Sequence, residues 1–147
     1  MAFPRIVLAL SAFIYAAFGA AFLVAPVPMA ATVGIQLPEP SAVIDFRATY
    51  GGFELGLAAF LAWCLAAPDP STRLGAGPST RLGAGRVRAG LLVSFLTVAG
   101  FGLTRLAGVV LDGPVRQSIY IALALEMSGV VLTGLALWQL ASKEELT

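Results

Sequence analysis

The segment IVLALSAFIYAAFGAAFLV, Ile6–Val24, runs for nineteen residues without a charge. At 1.5 Å per residue a helix of that length is about 29 Å long, which matches the hydrocarbon core of a bilayer. Arg5 precedes it, Pro26 and Pro28 follow it, and Met29-Ala30-Ala31 resembles the cleavage zone of a secretory leader. A leader core is shorter, typically about 7–15 residues. The stretch therefore reads as a retained transmembrane span, with a cleaved leader as the alternative.

Three more stretches repeat the pattern. The spans are expected at about 3–24, 42–66, 87–111 and 118–141. Ser41 is placed to cap the second, and Pro68-Asp69-Pro70 stops it. Asp112-Gly113-Pro114 closes the third, and a polar tail from Ser142 follows the fourth. Of the 147 residues 59% are hydrophobic and only 12% charged, against about 25% charged in a soluble domain. The mean hydropathy is +0.90. These features predict an all-α fold: a single domain, residues 1–147, built as an integral membrane antiparallel bundle of four transmembrane helices, with the lipid bilayer as its first partner.

Composition also removes chemistry. There is no histidine and one cysteine, Cys64. That excludes His-ligated haem, thiolate clusters, the usual zinc sites, an intramolecular disulfide and any nucleophile–histidine pair. No cofactor and no enzymatic activity are expected. A net charge of +1 without a basic run argues against nucleic acid as a partner.

The first linker, 25–40, is moderately apolar, and its 29–35 segment is expected to lie as a short helix at the membrane interface. The second contains a perfect tandem repeat: PSTRLGAG at 70–77 is copied at 78–85. Two copies of eight residues are too few and too short for a solenoid, so the segment reads as a duplicated, tolerant loop. With four spans, both termini share a side with this loop. That side carries Arg5, Arg73, Arg81, Arg86, Arg88 and Lys143, and the other carries Arg47 and Arg116. The bias predicts cytoplasmic termini, with Trp63 and Trp138 near the cytoplasmic interface.

Three charged residues fall well inside the spans, away from their ends: Glu54, Arg105 and Glu126. Each such charge costs about 2.5–3.5 kcal/mol even on the lenient insertion scale, so it needs a partner or a task. Counted from the outer helix ends, they lie roughly 13, 10 and 12 Å deep. Tyr15 of the first span is similarly placed. Arg47, Gly51 and Glu54 succeed one another at i, i+4 and i+7, which puts them on one face of a regular α-helix. Gly52 and Gly56 form a GxxxG pair suited to close helix approach. The inner half, around Leu61, Val93, Phe95 and Leu135, is expected to lack a polar centre.

The charges admit two readings. In one, Arg105 bridges Glu54 and Glu126 and serves only to set helix packing. In the other, one arginine facing two glutamates leaves a net charge of −1 at depth. One carboxyl then holds or exchanges a proton, or receives a cationic or hydrogen-bonding ligand.

The run Asp45-Phe46-Arg47-Ala48-Thr49-Tyr50-Gly51-Gly52-Phe53-Glu54-Leu55-Gly56-Leu57 resembles the signature Arg-Ala-x-Tyr-Gly-Gly-x-x-Leu-Gly-Leu of the DUF4345 family. Thr104-Arg105-Leu106, Asp112-Gly113 and Glu126 look like that family's second half. The resemblance implies a small four-helix protein of the bacterial inner membrane and supplies no reaction. Glu54 stands at a variable position of the signature, and the repeat lies outside it.

The functional expectation is a polar pocket in the outer half of the bundle, lined by Arg47, Tyr50, Glu54, Arg105 and Glu126. It would bind or pass a small ligand, a lipid head group or a proton. The alternative is a non-catalytic accessory or scaffold subunit, paired with a second copy or a larger membrane complex.

Overall fold

The computed structural model describes residues 2–66, 78–112 and 116–144. Among them the chain is helical and has no strand. Helix α1 covers Ala2–Val24, α2 Pro26–Thr32, α3 Pro40–Phe46, α4 Phe53–Leu65, α5 Pro78–Asp112 and α6 Gln117–Glu144. A π-helical segment, Arg47–Gly52, joins α3 to α4. Four units are long and apolar enough to cross a membrane: Ala2–Val24, Pro40–Leu65, Gly85–Leu111 and Gln117–Ser142. The first pairs with the second and α5 pairs with α6, while α1 also touches both α5 and α6.

The bundle turns its apolar side chains outward. Phe13 is 70% exposed and Leu111 81%. A water-soluble fold does not leave such a surface uncovered; here lipid covers it. The apolar core occupies the half of the bundle nearest the termini, where Leu8, Leu61, Cys64, Leu91 and Ala136 are fully buried. Gly90 is the meeting point. A Cβ there would stand 2.9 Å from Leu8 Cδ1 and 3.0 Å from Cys64 Cβ, so α1, α4 and α5 converge on it.

The same end is fastened by basic residues. Arg5 Nη2 donates to the Leu65 carbonyl at 2.6 Å, which satisfies a free acceptor at the C-terminus of α4. The Arg86 guanidinium lies 4.3 Å from the Trp63 ring centroid. At the opposite end, Gly34 takes a left-handed φ of +82°. Its Cα faces the Arg116 guanidinium closely enough that a Cβ would lie 3.4 Å from it. Ser118 Oγ donates to the Thr32 carbonyl at 3.2 Å.

Three local expectations change. The interfacial helix begins at Pro26, earlier than the 29–35 segment, because a proline suits the first turn of a helix. The second repeat copy is not a loop: α5 starts at Pro78 and runs through Gly85 without a break. A proline start and an uninterrupted downstream span let the helix propagate backwards through this copy. The first copy lies outside the described residues. Deleting residues 78–85 would place an identical PSTRLGAG directly before Arg86, restoring the same helix start. The deletion is expected to leave detergent-purified yield and melting temperature unchanged, because linker length costs little. A large loss of either would mean that the duplicated segment packs on the bundle.

The third change concerns the second span. Between α3 and α4 the backbone widens into π turns over Arg47–Gly52. Gly51 and Gly52 have no side chains to oppose that widening. The π turn lets Gly51 press on α1, where its Cβ would meet Leu23 N at 3.1 Å and the Gly19 carbonyl at 3.3 Å. One extra residue in the turn rotates α3 by about 100° relative to α4. Gly51 is buried and Arg47 exposed, so the expected shared face of Arg47, Gly51 and Glu54 does not form.

Candidate functional site

Each glutamate of the bundle has a glycine opposite its root. On the hairpin of α5 and α6, Gly102 faces Glu126 and Met127: a Cβ on Gly102 would overlap Met127 Cε and stand 3.5 Å from Glu126 Cβ. Where α1 crosses α4, a Cβ on Gly19 would stand 3.0 Å from Glu54 Cβ and 2.9 Å from Leu55 N. Leu8 and Gly90 set α1 and α5 side by side. Gly19 is eleven residues further along α1 and Gly102 twelve further along α5. The two carboxylates therefore lie at about the same depth.

Arg105 reaches only one of them. Its Nε donates to Glu126 Oε2 at 2.9 Å and to Oε1 at 3.1 Å, and its Nη2 donates to Oε1 at 2.8 Å. This forked geometry uses the planar guanidinium in the way that best neutralises a carboxylate. The expected bridge from Arg105 to both glutamates is not formed, and Glu54 makes no ion pair among the described residues. The reason is topological: Arg105 and Glu126 share a hairpin, whereas Glu54 stands on α4, paired with α1. Glu54 Oε2 is buried and has no hydrogen-bond partner.

The space around Glu54 is polar. Tyr15, four residues before Gly19 on α1, is 7% exposed, and its hydroxyl also lacks a partner. Glu54 lies near that hydroxyl, and Ser94 of α5 lies beside it. Ser94 is fully buried with an unpartnered Oγ. Thr133 of α6, also buried, turns its hydroxyl back to the Gly129 carbonyl at 2.7 Å. The inner half is thus not free of polar groups, contrary to the expectation from its apolar residues. Ser94 stands eleven residues before Arg105 and so on the same stripe of α5, a signal that spacing alone could have supplied. Gln139 of α6, whose Oε1 is buried and unpartnered, had no such signal in the sequence.

Two expected lining residues sit elsewhere. Arg47 is exposed on the π segment and has no partner among the described residues. Tyr50 is 42% exposed and belongs to an aromatic cluster, 4.5 Å from Phe46 and 5.5 Å from Phe22 by ring centroids. Both lie further from the termini than Glu54, at the rim of the bundle rather than in the polar layer. The Gly52–Gly56 pair is not an internal helix contact either, since a Cβ on either would meet nothing within 4 Å. Internal close approach is made by Gly19, Gly51, Gly90, Gly102 and Gly129 instead. Among the described residues no three carboxylate, histidine or cysteine side chains converge as metal ligands would.

Four apolar helices around a buried polar layer define a small multi-pass helical membrane protein. The chain belongs to the family described as "Domain of unknown function (DUF4345)", which matches residues 3–92. The match spans α1 to the first part of α5 and includes the π segment and Glu54. It ends before Arg105 and Glu126, so the likeness of that region to the family's second half lies outside the matched residues. No curated protein and no solved structure matches the chain.

Proposed function

We propose that this protein is a non-enzymatic membrane protein that binds or passes a small ligand or a proton at the polar layer of its outer half. Glu54 is the acceptor, Tyr15 its neighbour, and the Arg105–Glu126 pair a fixed wall. Arg47 and Tyr50 stand at the outer rim, where Arg47 can draw a polar guest or a lipid head group. The observation that carries this reading is the unpartnered Glu54 oxygen, at the depth of an arginine already committed to Glu126. A carboxylate held at depth without a counter-charge is expensive. A proton or a hydrogen-bond-donating guest removes that cost. Among the described residues no nucleophile–base pair or metal set accompanies it, which is why the reading is binding or passage rather than catalysis.

Infrared difference spectra of the purified protein between acid and neutral buffer test the acceptor. A carboxyl band in the range of a buried, protonated acid is expected in the wild type and absent in Glu54→Gln. If the band persists unchanged in that variant, Glu54 is not the acceptor.

We place the protein in the bacterial inner membrane with both termini cytoplasmic, from the six-to-two basic bias across its two sides. Activity reporters fused after Thr147 and within 70–85 are expected to read cytoplasmic. A periplasmic signal at either position would invert the topology and move the polar layer to the inner leaflet.

The accessory-subunit reading has one observation of its own. Gly52 and Gly56 form an exposed small-residue face on the lipid side of the second span, of the kind that lets a neighbouring transmembrane helix approach. Cysteine substitution at Gly56 in a Cys64→Ser background, followed by oxidative cross-linking in membranes, favours that reading if a discrete product forms.

A further inference from the structure

Seven-residue spacing keeps to one side of a helix, and it threads an inward stripe through each span. The stripes are Leu8, Tyr15 and Phe22 on α1, Leu61 and Glu54 on α4, Leu91, Val98 and Arg105 on α5, and Leu140, Thr133 and Glu126 on α6. Every stripe is closed at the end near the termini and looser at the other. Leu8, Leu61 and Leu91 are 0% exposed. At the far end Phe22 and Glu54 are only half-buried, and the side chains of Arg105 and Glu126 are 28% and 15% exposed. The interior is therefore a blind recess. Its floor is the apolar level of Leu8, Cys64, Leu91 and Ala136, one fully buried residue from each span.

The recess has a definite chemistry. Of its two carboxylates, Glu126 is committed to Arg105, which leaves Glu54 without a counter-charge among the described residues. The Tyr15 hydroxyl lies near Glu54, with Ser94 beside it. Tyr15 and Ser94 are more than nine-tenths buried, and neither hydroxyl nor Glu54 Oε2 has a hydrogen-bond partner. The two hydroxyls can share a hydrogen bond, but they bring no charge to offset the carboxylate. Aromatic rings stand further from the termini. Phe22 ends the α1 stripe, and Tyr50, four residues before Glu54, packs on it at 5.5 Å between centroids. Asp45 and Arg47, on the preceding turns, are exposed.

These groups select a guest. A proton would neutralise Glu54 but needs no recess. A divalent metal ion calls for a larger set of oxygen ligands, and among the described residues no three acidic, histidine or cysteine side chains converge. A cation held between an acidic floor and aromatic faces is typically organic. Unpaired oxygen acceptors call for N–H donors, which a quaternary ammonium lacks. We propose that the recess binds a protonated alkylamine. Its ammonium group donates to Glu54 Oε2 and the Tyr15 hydroxyl, and its alkyl chain lies against Phe22 and Tyr50. Ser94 positions Tyr15, and the apolar floor admits the guest from one side of the membrane only. The proposal rests on the reading of Glu54 as the acceptor and deepens it by naming the guest.

The test is calorimetric titration of the full chain in detergent at neutral pH, with n-butylammonium chloride as the probe and protein-free micelles subtracted. Saturable one-site binding is expected. Butyltrimethylammonium has the same charge and chain but no N–H, and is expected to bind at least tenfold more weakly, the equivalent of one hydrogen bond to a charged group. Tyr15→Phe should weaken butylammonium by about tenfold for the same reason, and Tyr50→Leu by about threefold through its lost ring face. Glu54→Gln should abolish binding, and Phe13→Leu on the lipid face should leave it unchanged. Melting temperatures of the unliganded variants separate a lost guest from a lost fold: Tyr15→Phe is expected to melt with wild type while binding less. Wild-type protein that binds no butylammonium, or binds butyltrimethylammonium or sodium as tightly, would overturn the guest while leaving the infrared result on Glu54 standing. Undiminished binding in Glu54→Gln would overturn the site. Absence of both the binding and the Glu54 band would remove the acceptor reading with it.

Discussion

Arg105→Leu is expected to be the most damaging replacement of a charged residue in this chain. The substitution leaves Glu126 at depth without its forked partner, and breaking such a pair costs about 3–5 kcal/mol. Because Arg105 bonds Glu126 and not Glu54, the rescue is specific. Arg105→Leu with Glu126→Gln should regain most of the lost stability, and adding Glu54→Gln should contribute no further rescue of that pair. Folded yield and melting temperature of the single, double and triple variants check this. Rescue by Glu54→Gln equal to that by Glu126→Gln would mean that Arg105 serves both carboxylates. An Arg105→Leu protein as stable as wild type would place the guanidinium among water or head groups.

Gly19→Val should be comparably severe for a different reason. Its Cβ would come 2.9 Å from both Leu55 N and Leu55 Cγ. A backbone atom cannot swing aside, so α1 and α4 must separate. The expected loss is at or above the top of the roughly 1–3 kcal/mol typical of overpacking. It should be accompanied by displacement of Glu54, whose Cβ lies at the same crossing. Gly56→Ala supplies the contrast. It meets nothing, and removing a helical glycine gains roughly 0.8–1 kcal/mol of helix propensity. Thermal unfolding in detergent should therefore rank Gly56→Ala at or above wild type and Gly19→Val far below it. The opposite ranking would show that α1 and α4 do not cross at Gly19. A Gly56→Ala protein stable in detergent but deficient in membranes would point to a neighbour on that face.

The membrane class and the four spans were legible because the apolar runs are long and the charges few. The depth match between Glu54 and Glu126 was legible too, since it needs only a rise per residue and the helix ends. Rotation could not be read. Seven-residue spacing puts Arg47 above Glu54 only if every turn between them is α-helical, and the π turns at Arg47–Gly52 break that assumption. Glycine patterns mislead in a related way. Gly52 and Gly56 carry the recognisable motif but face outward, whereas Gly19, in no motif, makes the tight crossing. Ser94 went unread because a single hydroxyl in an apolar run ordinarily bonds back to its own helix, although its spacing from Arg105 marked it. Gln139 was invisible because it lies close to the expected end of its span. The second repeat copy reads as loop on composition, yet helix propagates into it from a stable neighbour.

The wide turn before α4 has a consequence for how this chain can change. It works as a phase shifter between two functional halves of one helix, holding the signature arginine out of line with the buried carboxylate. Tightening that turn to regular α-helix at unchanged length would bring the two into step at i and i+7, and the guanidinium of Arg47 would swing in over Glu54 and quench its charge. Loss of a residue would not do so, because it leaves a spacing of six, about 120° out of step. What separates an armed acid from a silent ion pair is the wide turn itself, so the composition of Arg47–Gly52, with its two glycines, is the feature on which the polar layer depends.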